Sequence, residues 1–331
     1  MTGSIPLIRS GAIAPMRRWL RKAGRDETPC LRQAGLEWVP EDDPTVPIPL
    51  LGAIELLTTM SGAFGPDTPY RIVGDVGAFE IGLIGVEGLQ GPTVRDGMRR
   101  ISQMMRFHAT HELFSVTEED DGAIQIVDGW SMNLWDAAAI HYVQQYDVAL
   151  IDGICQAATG RRPNPSQVWM LPHPEHGLAH LEGRMGRQLA EAKNRALTLR
   201  IDAEVADYSI PPDVSRAARR LLPDNPVILP RGATLAEDVA TLLVSMLPHT
   251  KVTLPGVAAA AGMSARTFRR RLADDGTGFF EIVEQVRAER ATVRLSDPNP
   301  PSLGALAKEL GFRDQATLTR AMHRWRAGAG S

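Results

Sequence analysis

A chain of 331 residues, 44% of them apolar, exceeds one ordinary hydrophobic core, so two folded domains are expected and disordered or collagen-like classes are excluded. The net charge of -3 conceals a split: residues 250–331 hold 13 Lys and Arg against 8 Asp and Glu, whereas residues 1–249 hold 23 against 31. One part is suited to meet a polyanion and the other is not.

Two cysteines, Cys30 and Cys155, make no disulfide framework and point to a reducing compartment. Arg17, Arg18, Arg21 and Lys22 follow the first apolar segment, the reverse of a signal peptide, and no apolar run approaches the roughly 20 residues that span a bilayer. The expected location is the cytoplasm, with no membrane contact.

In chain order, a helix is predicted around Ala12 to Ala23, a short one from Pro29, a Pro-rich break from Pro40 to Pro49, and a helix from Leu50 to Met60. Tyr70 to Gly88 carries too many glycines for a long helix and reads as loop, short helix or strand. Pro92-Thr93 opens an amphipathic helix to Phe107 that buries Val94, Met98, Ile101 and Met105. His111 to Glu118 and Ala123 to Trp130 read as a hairpin around E-E-D-D-G, with Asp120-Asp121 in the turn and Glu118-Glu119 its solvated flank.

A long helix follows from Ala137 to Thr159, stopped by Gly160. Gln167 to Leu171, Leu197 to Asp202 and Val205 to Tyr208 read as strands, and Val214 to Leu222 as a helix between Pro-rich breaks. This mixture predicts an α+β domain over residues 1–222, with a small antiparallel sheet or barrel and helices, then a linker at 223–233.

Residues 234–331 read as all helical. Thr234 and Glu237 form a capping box ahead of a helix to Leu247. V-A-A-A-A-G-M-S-A-R-T-F-R-R-R-L (257–272) has the form of a helix-turn-helix: an Ala-rich helix stops at Gly262, and Ser264 caps a second helix. Phe268 and Leu272 share one face of that helix, and Arg266 and Arg270 lie opposite. The motif recurs from Leu303 to Trp325, with Gly311 in the turn, Asp314 as the better cap, and Leu318, Ala321, Met322 and Trp325 on the packing face. Between the two runs a predicted helix, Phe279 to Leu295, about 25 Å long at 1.5 Å per residue, which would set one motif against the other. Such phasing permits entry into successive major-groove segments about 34 Å apart.

Two arginine stripes on two glycine-turn motifs predict contact with double-stranded DNA rather than a merely solvated basic face. Arg266 and Arg270 are the candidates for base edges, because a guanidinium bonds guanine O6 and N7 together. Arg269, Arg271, Thr317, Thr319 and Arg324 are assigned to phosphates, and Arg320 to either role. Ser264, Thr267, Arg313, Gln315 and Ala316 complete the expected DNA-facing set.

G-M-S-A-R-T-F-R-R-R-L (262–272), V-R-A-E-R-A (286–291) and L-A-K-E-L-G-F-R-D-Q-A-T-L-T-R-A-M-H-R-W (306–325), in this order and spacing, resemble the DNA-binding region of the AraC/XylS family of bacterial transcription regulators. Leu318 and Met322 stand where that family usually has Phe. Upstream, G-P-T-V-R-D-G-M-R-R (91–100), the helix ending in Gly-Arg-Arg-Pro (160–163) and V-W-M-L-P-H (168–173) resemble the arabinose-binding-type N-terminal domain of its ornithine- and virulence-regulator branch. The resemblance implies a monomeric two-motif DNA reader joined to a domain that senses a small molecule or dimerises, with RNA polymerase as a further partner. The effector, the operator and the sign of regulation are left open.

Other constellations carry blander readings. His173, Glu175, His176 and His180 have a metal-like look, but they cross a Pro-rich loop, and no metal site is assigned. Trp130, Trp135, Trp169, Met104 and Met105 read first as core and second as pocket lining. No nucleophile-base pairing, phosphate loop or supported acidic pair is evident, so neither an enzyme nor a cofactor is expected. Two alternatives stay open: a regulator answering to a protein partner instead of an effector, and an enzyme or binding domain tethered to DNA.

Overall fold

The computed structural model describes every residue except 1–3, 77–81, 133–135, 163, 186–187, 223–226 and 329–331. Two three-residue strands, β1 (Leu7–Arg9) and β2 (Pro47–Pro49), pair antiparallel, and a helical hairpin-like excursion lies between them: α1 (Ala14–Lys22) and α2 (Thr28–Gln33). Neither strand carries a periodic signal in the sequence, because each is three residues long and β2 holds two prolines. Then come α3 (Leu50–Phe64), α4 (Thr68–Val76), α5 (Gly82–Gly88) and α6 (Val94–His108).

The glycine-rich stretch is therefore mainly short helix among its described residues. Its glycines permit close crossing: a Cβ on Gly97 of α6 would lie 2.2 Å from the Gly88 carbonyl oxygen of α5. Thr93 caps α6 by accepting from the Asp96 N–H, and Val94, Met98, Ile101 and Met105 are buried as the amphipathic pattern requires.

The hairpin consists of β3 (Glu112–Glu118) and β4 (Ile124–Trp130), in antiparallel register with Glu112 opposite Trp130 and Phe114 opposite Asp128. Its turn is as expected, but the acidic flank is paired rather than only solvated. Glu119 accepts from Arg200 at 2.7 Å, and Glu118 meets Arg95 and Arg99.

The long helix α7 (Ala137–Thr159) is capped by Asp136 and ends at Gly160, whose φ of 71° only glycine adopts freely. β5 (Gln167–Met170), α8 (Glu182–Met185), β6 (Leu189–Glu191) and β7 (Leu197–Ile201) complete a five-stranded sheet in the order β3-β4-β7-β5-β6. β5 and β6 run parallel, so the sheet is mixed rather than wholly antiparallel. The expected strand at Val205 to Tyr208 is instead α9 (Ala203–Ala206), closed by an Ala206 N–H donated to the Asp202 carbonyl. A four-residue apolar run is too short for its period to choose between strand and helix turn.

After α10 (Pro212–Arg219), the described part of the 223–233 stretch lies against the preceding domain. The Leu229 N–H bonds the Arg106 carbonyl, and Leu229 is buried. The C-terminal helices are α11 (Leu235–Met246), α12 (Leu254–Ala260), α13 (Ala265–Asp274), α14 (Phe279–Leu295), α15 (Leu303–Glu309) and α16 (Gln315–Gly328). Thr234 caps α11 as expected, but Glu237 accepts from the Ala233 N–H rather than completing a strict capping box.

The main core runs without interruption from Ile5 into Val286 of α14, whereas Ala291, Leu306, Ala307, Leu310 and Leu318 form a second, small core under the last helix pair. Asp238 of α11, wholly buried, closes the junction: Oδ2 accepts from the Ser4 hydroxyl at 2.7 Å and the Ile5 N–H at 2.8 Å, and Oδ1 from the Gly232 N–H at 2.8 Å. No helix among the described residues is long and apolar enough to cross a membrane.

Candidate nucleic-acid interface and buried cavity

Local chemistry fixes the first helix pair. Gly262 turns the chain at φ 66°, and the Ser264 hydroxyl accepts from the Thr267 N–H, starting α13. Phe268 and Leu272 are buried, with Phe268 edge-on to Phe279 of α14 at 6.3 Å. Those contacts turn Arg266, Arg269 and Arg270 outward, and none of the three has an internal partner among the described residues. Arg271 lies half-buried beside Met263, 3.8 Å from its sulfur.

In the second pair, Asp314 rather than Arg313 is the cap, accepting from both the N–H and the hydroxyl of Thr317 at 2.8 Å. These bonds and the Arg313 guanidinium hold its carboxyl down to about 2. Leu318 and Ala321 face inward, while Gln315, Ala316, Arg320 and Arg324 are exposed; Thr317 and Thr319 are half-buried. Arg320 bonds the Thr317 hydroxyl, and Arg324 reaches Glu284 of α14 at 3.2 Å. α14 holds this pair through polar contacts. Arg287 bonds the Leu310 and Gly311 carbonyls and covers the Phe312 ring at 4.4 Å, and Arg290 and Arg294 pair with Glu309. The arginines of α14 are thus engaged within the protein, and Arg266, Arg269 and Arg270 of α13 are free to meet an external anion.

The N-terminal part holds a mostly apolar cavity of about 70 Å³ between α3, α6, α7 and the β3–β4 hairpin. Three carboxyls reach it: Glu112, Asp128 and Asp147, with one oxygen of each lying within 4.8 Å of the others. Burial is the main cause that pushes all three upward. Asp128, 3% exposed, rises to about 7 even though hydrogen bonds from Asp147 and the Gly129 N–H oppose the shift. Glu112 is raised further by the charge of Asp128, and Asp147 by those of Asp128 and Glu112. Oδ1 of Asp128 and Oδ2 of Asp147 have no hydrogen-bond partner. His108, 6% exposed, also lines the cavity with an unpartnered Nδ1, and burial and then Arg9 push its pKa down to about 3.

Of the five residues weighed as pocket lining, Trp130 and Met105 border this cavity; Met104 and Trp169 do not, and Trp135 lies outside the described residues. The sequence carries a faint signal for the acids. Asp128 is in phase with buried Ile124 and Ile126 along β4, and Asp147 sits on the stripe of Val143 and Ile151 along α7. A carboxylate at an inward position of an apolar period marks a site.

The histidines do come together, joined by His141 of α7. His141 Nε2 lies 3.0 Å from His180 Nε2, and His173 Nε2 lies 3.1 Å from the Tyr142 hydroxyl. His173 Nδ1 instead accepts from the N–H groups of Glu175 and His176. Burial pushes His141 down to about 4 and lowers His173 and His180. Among the described residues, the cluster with spacing suited to a metal is the carboxyl trio, not these rings.

Family profiles match both halves of the chain. The arabinose-binding domain of AraC transcription regulators, N-terminal, matches residues 24–207, more than half of the chain, and a helix-turn-helix domain matches residues 257–327. The chain belongs to the AraC family of transcription regulators. It is 32% identical over 114 residues to the HTH-type transcriptional regulator VirS of Mycobacterium tuberculosis, covering 34% of this chain and 33% of that one. It is 33% identical over 84 residues to VqsM of Pseudomonas aeruginosa, covering 25% and 26%. The matched segments thus span a third or less of those relatives. A crystal structure of the transcriptional regulator CdpR from Pseudomonas aeruginosa aligns over 94% of this chain and 93% of that one, with a TM-score of 0.38 and 17% identity. The chain thus joins an arabinose-binding-type N-terminal domain of AraC regulators to a C-terminal helix-turn-helix domain.

Proposed function

We propose that residues 1–222 sense a small molecule in the cavity, that 223–233 link, and that 234–331 bind DNA through tandem helix-turn-helix motifs, with α13 and α16 entering successive major-groove segments. Arg266 and Arg270 read base edges, and Arg269, Arg271, Thr317, Thr319 and Arg324 hold phosphates, with Arg320 serving either task. Ser264, Thr267, Arg313, Gln315 and Ala316 border the same surface. RNA polymerase is the expected further partner, and homodimerisation through the N-terminal domain an expected state.

One observation carries the effector reading. α3 lines the cavity with Leu50, Ala53, Ile54 and Leu57, while its Leu51 abuts the Gly262 turn so closely that a Cβ there would lie 2.7 Å from the Leu51 side chain. A ligand that shifts α3 therefore acts directly on the support of the first recognition helix. Control requires the ligand to bind the two arrangements with different affinity.

The test is footprinting of the purified protein on DNA flanking its own gene, with and without candidate metabolites, for wild type and Leu51→Ala. A metabolite should alter protection by the wild type and leave that by Leu51→Ala unchanged while still binding it. An effector response that survives in Leu51→Ala removes α3 as the coupling element. Metabolite binding without any change in protection by the wild type removes effector control.

A further inference from the structure

We infer that the ligand class of the cavity is a small organic amine, its ammonium seated among Glu112, Asp128 and Asp147 and its apolar body against Ile54, Leu57 and Val143. The inference rests on the cavity being the effector site.

An apolar chamber with three inward carboxyls is a poor design for stability alone. Asp128 is buried and Glu112 and Asp147 half-buried, and apart from the bond between Asp147 and Asp128 one oxygen of each aspartate finds no donor. A cation supplies the donors that the Asp128 and Asp147 oxygens lack. An ammonium has hydrogens to donate, and acceptors about 2.8 Å from a tetrahedral nitrogen stand about 4.6 Å apart, in keeping with the 4.8 Å limit on the trio.

Two observations outside the acid cluster point the same way. His108 presents an unpartnered, neutral ring nitrogen to the chamber, able to meet a second polar group of a ligand. Phe114, Trp130 and Tyr146 also border it, and aromatic faces attract an alkylammonium.

Size and lining separate an amine from a metal ion. At about 70 Å³ the chamber is several times the 10–15 Å³ or so that one water needs, room for a short amine. A hard divalent cation keeps several waters or further oxygen ligands, which the Met16, Ile54, Leu57 and Ile101 walls do not offer. One carboxylate, that of Asp128, pairs with the ammonium while the two carboxyls that burial pushes up further, Glu112 and Asp147, keep their protons, so the chamber stays neutral overall.

The experiment uses the full chain at pH 8, with thermal unfolding and calorimetric titration. The probes are n-butylamine, cyclohexylamine, cyclohexanol, cyclohexanecarboxylate and Mn²⁺, and the proteins are wild type, Asp128→Asn, Glu112→Gln and Ala53→Trp. At least one amine should bind and raise the melting temperature, cyclohexanol and the carboxylate should not, and binding should weaken roughly 10- to 100-fold in Asp128→Asn and Glu112→Gln. No response to either amine, an equal response to cyclohexanol or the carboxylate, unchanged amine affinity in both acid variants, or Mn²⁺ displacing the amines each overturns the inference. Ala53→Trp separates this from failure of the site. Cyclohexanol or carboxylate binding that Ala53→Trp abolishes keeps the cavity as the ligand site and discards the amine. Binding that Ala53→Trp leaves intact discards both.

Discussion

Asp128→Asn should stabilise the ligand-free protein, and more so as pH rises. Asn keeps the shape and hydrogen-bonding capacity of the side chain and cannot ionise. In the folded chain the Asp128 carboxyl is raised to about 7 from an ordinary 3.8, chiefly by burial. Below the lower value both states hold the proton and the group costs nothing. Between the two, the unfolded chain releases its proton while the folded chain retains it, so stability is lost as pH rises, and above about 7 the loss is constant. A difference of about 3 units at 1.36 kcal/mol each sets a ceiling of about 4 kcal/mol. The Asn amide is also buried at a cost of about 0–2 kcal/mol that does not vary with pH, so a net gain of about 2–4 kcal/mol at pH 8 is expected, and one about 3 kcal/mol smaller at pH 4.5, where the ionisation cost is only about 1 kcal/mol. Urea unfolding followed by circular dichroism at the two pH values reads this directly. A variant no more stable than wild type at pH 8, or one whose gain is the same at both, would refute the argument that Asp128 is buried at a cost.

Phe268→Ala removes the fully buried ring on the inner face of α13 and should cost about 3–5 kcal/mol in equilibrium unfolding; a loss below about 1 kcal/mol would contradict its place in the core. Asp238→Ala strips one buried acceptor from three donors and should cost about 2–5 kcal/mol while opening residues 227–233 to limited proteolysis; unchanged stability and cleavage would show that the junction does not depend on it. On acidification, His108 should oppose folding. Its depressed folded value means that the stability present above about 6.5 is lost as pH falls toward about 3, and His108→Gln should flatten the acid limb of the unfolding curve.

The elements legible in the sequence are those with a cap at one end and a full period behind it. α6 follows Thr93, α7 runs from Asp136 to Gly160, and α13 follows Ser264; each repeats its apolar positions for two turns or more. β1, β2 and α9 are three or four residues long, and their form is set by partners distant in sequence, such as the Ile8–Ile48 register. The same reason hid the cavity. Asp128 and Asp147 belong to different elements and look unremarkable one at a time; only the packing of α7 against the hairpin brings their carboxyls together with Glu112. The histidines show the complementary case. Their rings do gather, as their spacing suggests, but His173 turns its Nδ1 to its own loop, and the ring that bonds His180 comes from α7.

The claim that the exposed arginines of α13 read DNA is tested most directly by measuring Arg270→Ala and Arg271→Ala on the footprinted operator and on random duplex at fixed salt. Arg270→Ala should lose about 1–3 kcal/mol on the operator and relax preference at one base pair, with a smaller loss on random DNA, while Arg271→Ala should weaken both duplexes alike. Equal losses on the two duplexes for Arg270→Ala would contradict the assignment of that face to base recognition.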